Sequence, residues 1–373
     1  MAYKKNDKGL YDVDVSYTKL NGKYGRKRKN NITTLKEAKL IEAEFIAVYR
    51  NGEVRDVKLK AAIDQFIDYK RVRVKETHII KTLTLMNLVK DLWNFNIESI
   101  KPQHITKLQS DLKSKHLSVT YINECVNRLY SVFEFSRTFN NTSNNPCEKV
   151  ERLKRTTPKE PITFWTLEEF TQFDNAIKKL CDDAKNYDEH FSHFEYRVFF
   201  NFLYCIGTRC GETQALNWND LDLDNNHTVR IDKTLTFRTS KGLYNITTPK
   251  TLASNRTVTI PLKLIEMLSQ LKEYKIEHGR FSEKHFVFGY PDTPFHNSTL
   301  TRRKNMYCEL AGVKQIKIHD FRHSHASLLI NNDVNILVIC SRLGHADVKM
   351  TLNTYSHMFK STEDEALHFL NNL

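Results

Sequence analysis

Residues 10–17 (LYDVDVSY) alternate apolar and polar positions with period two, the pattern of a strand with one buried face. Asn21-Gly22 follows as a turn pair, and the run 23–29 (KYGRKRK) reads as a basic returning strand or hairpin. Thr34-Leu35-Lys36-Glu37 has the form of a capping box, and Ala38, Ile41, Phe45 and Val48 share one face of the helix it opens, with Asn51-Gly52 as its stop. From residue 57 the spacing becomes helical. Leu59, Ala62, Ile63, Phe66 and Ile67 form one stripe, and a second helix runs from His78 through Leu85 and Leu88 to Trp93. Pro102 opens a third, with Ile105, Leu108 and Leu112, and Val119, Ile122, Val126, Leu129 and Phe133 make a fourth. After a polar stretch ending at Pro146, the segment 154–161 (KRTTPKEP) reads as a linker. A second capping box, Thr166-Leu167-Glu168-Glu169, then opens a mostly helical region. It is interrupted between Thr228 and Ile260 by short strands at 229–231, 235–237, 244–247 and 257–260.

These patterns predict a multidomain chain, mainly α with small antiparallel sheets. It divides into a β-rich module with one helix (1–56), a helical bundle (57–153), a linker (154–161) and a last α+β domain (162–373). A length of 373 residues fits two or three cores better than one.

Net charge adds a partner. Of the +13 total, +7 lies in residues 1–60 and +6 in 61–160, while residues 161–373 carry 25 basic and 25 acidic side chains. A basic surface binds polyanions through counterion release, so the first 160 residues point to nucleic acid. Lys23, Arg26, Lys27, Arg28 and Lys29 are the candidate DNA contacts, with a merely solvated loop as the other reading. No run of eighteen apolar residues predicts a membrane span, and the opening MAYKKNDKGL lacks the apolar stretch of a secretory signal, so a cytoplasmic protein is expected. Seven cysteines, odd in number and without a CxxC pair, suit reduced, buried thiols.

The candidate chemistry lies in the last 170 residues. In Gly207-Thr208-Arg209-Cys210-Gly211-Glu212 an arginine opens a helix after a glycine break, and the acid three residues on can hold its guanidinium. Lys250 lies at the end of a strand, although Lys233 and Lys241 share that region. His319 and Arg322 stand one helical turn apart, and Leu343-Gly344-His345 follows an apolar helix. Thr351 to His357 (TLNTYSH) then places Tyr355 on a helix ten residues further on. His323 and His325 could suggest a metal site, but no HExxH or carboxylate cluster accompanies them, and both read as packing or N-terminal helix residues.

The ordered set TRCGE, a hairpin lysine, HDFR, LGH and TLNTYSH resembles the tyrosine recombinases, and the basic β-module resembles the arm-binding domain of phage and conjugative-transposon integrases. The resemblance implies an enzyme that cuts and rejoins duplex DNA without metal, ATP or other cofactor, through a 3′-phosphotyrosyl intermediate and a Holliday junction. It would integrate and excise a phage or mobile element. Tyr355 would be the nucleophile, Arg209 and Arg322 would bind the phosphate, and Lys250 would protonate the leaving 5′ oxygen. His319 would manage the tyrosine proton, His345 would hydrogen-bond the phosphate, and Glu212 would orient Arg209. The helical bundle takes the place of the core-binding domain. Implied partners are duplex DNA at core and arm sites, three further copies of the chain in a tetramer, an excisionase and a host DNA-bending protein, at the nucleoid of a bacterial host. A type IB topoisomerase and a DNA-binding regulator without catalysis stand as alternatives.

The chemistry suits these residue types. Attack on a phosphodiester builds negative charge on nonbridging oxygens, which guanidinium forks stabilise, and a phenol conserves the bond energy for rejoining. Beyond the nucleophile, residues 360–373 read as a short helix whose apolar face (Ala366, Phe369, Leu370, Leu373) docks on its own domain or on a neighbouring protomer.

Overall fold

The computed structural model describes residues 3–18, 24–46, 57–140, 142–143, 145–155, 162–240, 242–249, 252–355, 367 and 370–372, in two compact units divided at Lys159/Glu160. That division falls inside the expected linker. Lys23, Asn51-Gly52, Lys241, Lys250 and most of the expected tail helix lie outside the described residues.

The first unit opens with an antiparallel meander, β1 (Tyr3–Lys5), β2 (Tyr11–Thr18) and β3 (Tyr24–Ile32), followed by α1 (Leu35–Phe45). Val13, Val15 and Ile32 from the sheet meet Ala38 and Ile41 from the helix in a small core. Thr34 caps α1 by accepting from the Glu37 N–H at 3.2 Å. Strand β1 was not evident beforehand: three residues carry too little period to register. In β3, Lys27 and Lys29 pair with core-facing Val15 and Val13, whereas Arg26 and Arg28 pair with Ser16 and Asp14 on the opposite face.

The bundle follows as α2 (Leu59–Arg71), α3 (Glu76–Asn87), α4 (Pro102–Ser114) and α5 (Val119–Asn140), packed around a core of its own. The expected helix from His78 to Trp93 ends early, at Asn87. The chain then turns back, and the carbonyls of Phe95 and Trp93 accept from the Leu59 and Lys60 N–H groups, at 3.0 and 3.1 Å. The open amide donors at the start of α2 thus capture the segment that would have extended α3.

The second unit is built on α6 (Leu167–Asp182) and α7 (Tyr187–Ile206). From Val198 on, helix α7 is apolar nearly all round, with Val198, Phe199, Phe200, Phe202 and Leu203 buried, as a central helix must be. Helix α8 (Cys210–Gln214) follows. Strands β4 (Leu221–Asp222), β5 (Thr228–Ile231) and β8 (Arg256–Thr259) form one antiparallel sheet, and β6 (Thr234–Thr236) and β7 (Asn245–Thr247) a separate hairpin. The strand-rich insert is therefore two sheets. Then come α9 (Leu262–Glu277), the ribbon β9 (Gly289–Tyr290) and β10 (Thr293–Pro294), α10 (Asn297–Ala311), α11 (Asp320–Asn331), α12 (Ile336–Leu343) and α13 (Val348–Tyr355). Among the described residues no helix is long and apolar enough to cross a membrane.

A buried cation ties α9 to α7 and to the chain at Val287 and Gly289. Lys275 on α9 donates to Glu195 of α7 at 2.8 Å and to the carbonyls of Val287 and Gly289, both at 2.9 Å. Truncating it strands a partly buried carboxylate and two carbonyls. Lys275→Ala is expected to lower the unfolding free energy by about 3–5 kcal/mol, read as a lower urea midpoint at unchanged slope.

Candidate active site

Helix ends assemble the site: the C-termini of α7, α12 and α13 and the N-termini of α8 and α11. Helix α7 stops at Gly207, whose φ of 74° is left-handed, and α12 stops at Gly344 with φ 67°. Both glycines are also required sterically. A Cβ at 207 would sit 2.3 Å from the His325 ring, and one at 344 would sit 2.9 Å from Arg256 Nη1. The chain can therefore expose helix-terminal carbonyls while other side chains pass close by.

Those carbonyls hold Arg322, which is only 4% exposed. Its Nη1 donates to Gly207 O at 2.8 Å, and its Nη2 to Leu343 O at 2.6 Å and to His345 Nε2 at 2.8 Å. The C-terminal end of a helix carries partial negative charge, so two such ends stabilise a cation that burial disfavours. Burial first, and Arg209 second, nonetheless press its ionisation equilibrium downward. An incoming anion would relieve that pressure.

Arg209 stands at the N-cap of α8, and Glu212 receives its side chain at 2.7 Å and its backbone N–H at 2.9 Å. Glu212, 3% exposed, also binds Arg256 Nη2 at 2.9 Å. Its burial pushes the carboxyl pKa up, but the charge and hydrogen bond of Arg256, with Arg209, outweigh this and hold it below its usual value. Arg256 in turn donates through Nε to Arg342 O at 2.7 Å, again in the last turn of α12. Within the group Arg209, Arg256, Arg322 and Glu212, two positive charges stay unmatched.

His345 is pushed down to about 4, mainly by burial and then by Arg322 and Arg209, so the ring is neutral at physiological pH. Since Nε2 accepts from Arg322, Nδ1–H is the donor to Thr351 Oγ1, at 2.7 Å. His319 occupies the N-cap of α11; burial, then Arg322, disfavour its charged form. His325 donates through Nδ1 to Tyr204 O at 2.7 Å and is pushed down to about 3 by burial, a packing residue as expected.

Tyr355 ends α13, 2% exposed, its ring among Ala326, Ile330, Ile339 and Leu343. Its hydroxyl lies 2.5 Å from Nδ1 of His323. His323 thus stands in the first turn of α11, an N-terminal helix residue as one of the two readings has it, and the bond to Tyr355 is an added finding. Burial raises the phenol to about 12, with Arg322 pulling the other way. Lys250 falls just beyond β7, outside the described residues. Its rival Lys233 is committed to the buried carboxylate of Asp220 at 2.7 Å. Arg256, Thr351 and His323 escaped sequence reasoning as site residues. Arg256 and His323 meet their partners across 44 and 32 residues, and only the placement of Thr351 within the TxxxY motif offered a signal.

A tyrosine hydroxyl beside an imidazole, next to an anion-binding group of guanidiniums, is equipment for phosphoryl transfer through a covalent tyrosyl ester. The comparisons with known proteins agree. The phage integrase family matches residues 173–362, and the arm DNA-binding domain matches residues 1–48. The ICEBs1 integrase of Bacillus subtilis (strain 168) is 29% identical over the whole of both chains. Among solved structures, the Tn1549 transposon integrase in complex with transposon right end DNA is similar with a TM-score of 0.66 and 21% identity, over 85% of this chain and 99% of that one. A lambda integrase tetramer bound to a Holliday junction is similar with a TM-score of 0.56 and 13% identity, over 93% of this chain and 96% of that one. The chain belongs to the phage integrase family: it is a tyrosine recombinase, a DNA-cleaving and rejoining enzyme of the phage and conjugative-transposon integrase type.

Glu212 carries both structure and electrostatics here. Glu212→Ala leaves Arg256 buried without its carboxylate and is expected to cost about 3–5 kcal/mol of unfolding free energy at pH 7. Because the folded carboxyl is held below its usual 4.5, its contribution is complete above that value and is lost as pH falls through the lower folded pKa. Denaturant titrations of wild type and variant should therefore converge in acid.

Proposed function

We propose that this integrase inserts and excises a mobile element at specific attachment sites, with Tyr355 attacking the scissile phosphodiester to leave a 3′-phosphotyrosyl ester. Arg209 and Arg322 bind the nonbridging oxygens, and Glu212 orients Arg209. His345, which accepts from Arg322 before the phosphate arrives, changes tautomer to donate its Nε2–H to the phosphate while Nδ1 accepts from Thr351. His319 lies at the same centre and assists the proton traffic, and Lys250 supplies the proton to the departing 5′ oxygen. The observation that carries this reading is the unmatched positive charge grouped around Glu212, which acts electrostatically on Tyr355 through Arg322. A phosphodiester brings one negative charge and gains another in the transition state, so the match improves as the reaction proceeds.

Four protomers exchange strands in pairs through a Holliday junction, a reading supported by the lambda integrase tetramer described above. Residues 1–56 bind arm sites, residues 57–153 and 162–373 the core site, and an excisionase and a host DNA-bending protein adjust direction. The enzyme works in the cytoplasm of a bacterial host, at the nucleoid.

The decisive test is a nicked suicide duplex that traps the covalent adduct. Tyr355→Phe is expected to bind this DNA with wild-type affinity and to yield no adduct; a 3′-linked adduct on the variant would overturn the assignment. For the arm module, Arg26 on the open sheet face is the expected contact. Arg26→Ala should weaken arm-site binding and lower the slope of log K against log salt by about one, with core-site binding unchanged.

A further inference from the structure

We propose that His323 takes the hydroxyl proton of Tyr355 when the tyrosine attacks. This deepens the proposed function and rests on Tyr355 being the nucleophile. His323 Nδ1 and Tyr355 Oη are 2.5 Å apart, a charge-poised O–H···N bond between the last residue of α13 and the first turn of α11. The tyrosine ring is clamped by aliphatic side chains from α11 and α12, so the bond is set by packing rather than by chance rotation of an exposed side chain. A phenol that holds its proton is the donor, so Nδ1 is the acceptor and the proton of the neutral ring sits on Nε2.

The need for an acceptor is chemical. A buried phenol raised to about 12 is ionised in only about 1 molecule in 10⁵ at pH 7. Attack therefore requires the proton to leave as the bond forms. In the step, the Oη–H bond breaks and the proton passes to Nδ1, while the oxygen's electron pair forms the Oη–P bond. The P–O5′ bond breaks, and that oxygen keeps the pair and takes a proton from an acid elsewhere in the site. On rejoining, the 5′ hydroxyl returns its proton to the conjugate base of that acid as its oxygen attacks phosphorus, the Oη–P bond breaks, and His323 returns its proton to Oη.

The surrounding charges suit this division of labour. Arg322 favours the phenolate, and Asp320 opposes it. His319 lies edge-to-face with His323 at 5.1 Å between ring centroids and has its charged form disfavoured by burial, Arg322 and Arg209. His323 touches the reacting oxygen itself.

The test is single-turnover adduct formation on the suicide duplex by the full chain, across pH, for wild type, His323→Asn, His319→Asn and Tyr355→Phe. Asparagine keeps a polar atom near Nδ1 but cannot carry a proton away. His323→Asn is expected to keep DNA affinity and the unfolding midpoint, to lose about 10²–10⁴-fold in rate, and to lose the acid limb of the pH profile that wild type and His319→Asn retain. A duplex with sulfur at the 5′ bridging position, whose leaving group needs no proton, should not rescue it. If asparagine lowers the unfolding midpoint, His323→Gln takes its place. A wild-type or faster rate in the variant, rescue by the sulfur duplex, or loss of the limb in His319→Asn instead, each overturns the proposal. Adduct formation by Tyr355→Phe would instead overturn the nucleophile assignment beneath it.

Discussion

The second unit is organised around the burial of one guanidinium. Arg322 has helix-terminal carbonyls and an imidazole as its partners, and those carbonyls exist because α7 and α12 each end in a left-handed glycine. Much of the local structure follows from that requirement. Gly207 lets His325 pack against the end of α7, Gly344 lets Arg256 pass beneath the end of α12, and Arg256 reaches Glu212, which holds Arg209. The result is a preorganised cationic site whose strain is electrostatic. The charges are held by dipoles and one carboxylate at less than full neutralisation, leaving the balance for a bound anion.

Much of this was legible before the fold was known. Glycine before Arg209, the arginine–acid spacing and the Gly344 helix stop are local signals, set by backbone sterics and i, i+3 geometry, and local signals survive folding. The alternation of β2, the N-cap at Thr34 and the capping box at Thr166 were legible for the same reason, although Glu37 accepts from the Thr33 hydroxyl instead of closing a box at Thr34. The places where sequence reasoning fell short share another trait. The end of α3 is decided by donors on α2, Arg256 by a carboxylate 44 residues away, and His323 by a tyrosine 32 residues away. In each case a tertiary partner, invisible to periodicity, determines the outcome. His323 is instructive because its neighbour His325 does pack as expected; two positions on one helix look alike in sequence and face different elements.

The charge division along the chain has a matching physical sense. The basic excess sits wholly in the first 160 residues, and the second unit is balanced. Long-range attraction to a polyanion and short-range chemistry on one phosphate are separate tasks with different salt sensitivity. With no net formal charge over residues 161–373, local cations rather than a diffuse field govern the site.

Helix α12 ends in the carbonyls that grip Arg256 and Arg322, and only four residues, 344–347, separate it from the helix that bears Tyr355. Within those four, His345 links back to Arg322 and forward to Thr351. Tyr355 and the carbonyls that hold the arginines therefore share one short tether. A displacement that withdraws the tyrosine also loosens the grip on the arginines. With Tyr355 as the proposed attacking group and the arginines as the proposed phosphate clamp, the tether would act as a fail-safe, a disturbed protomer losing both together.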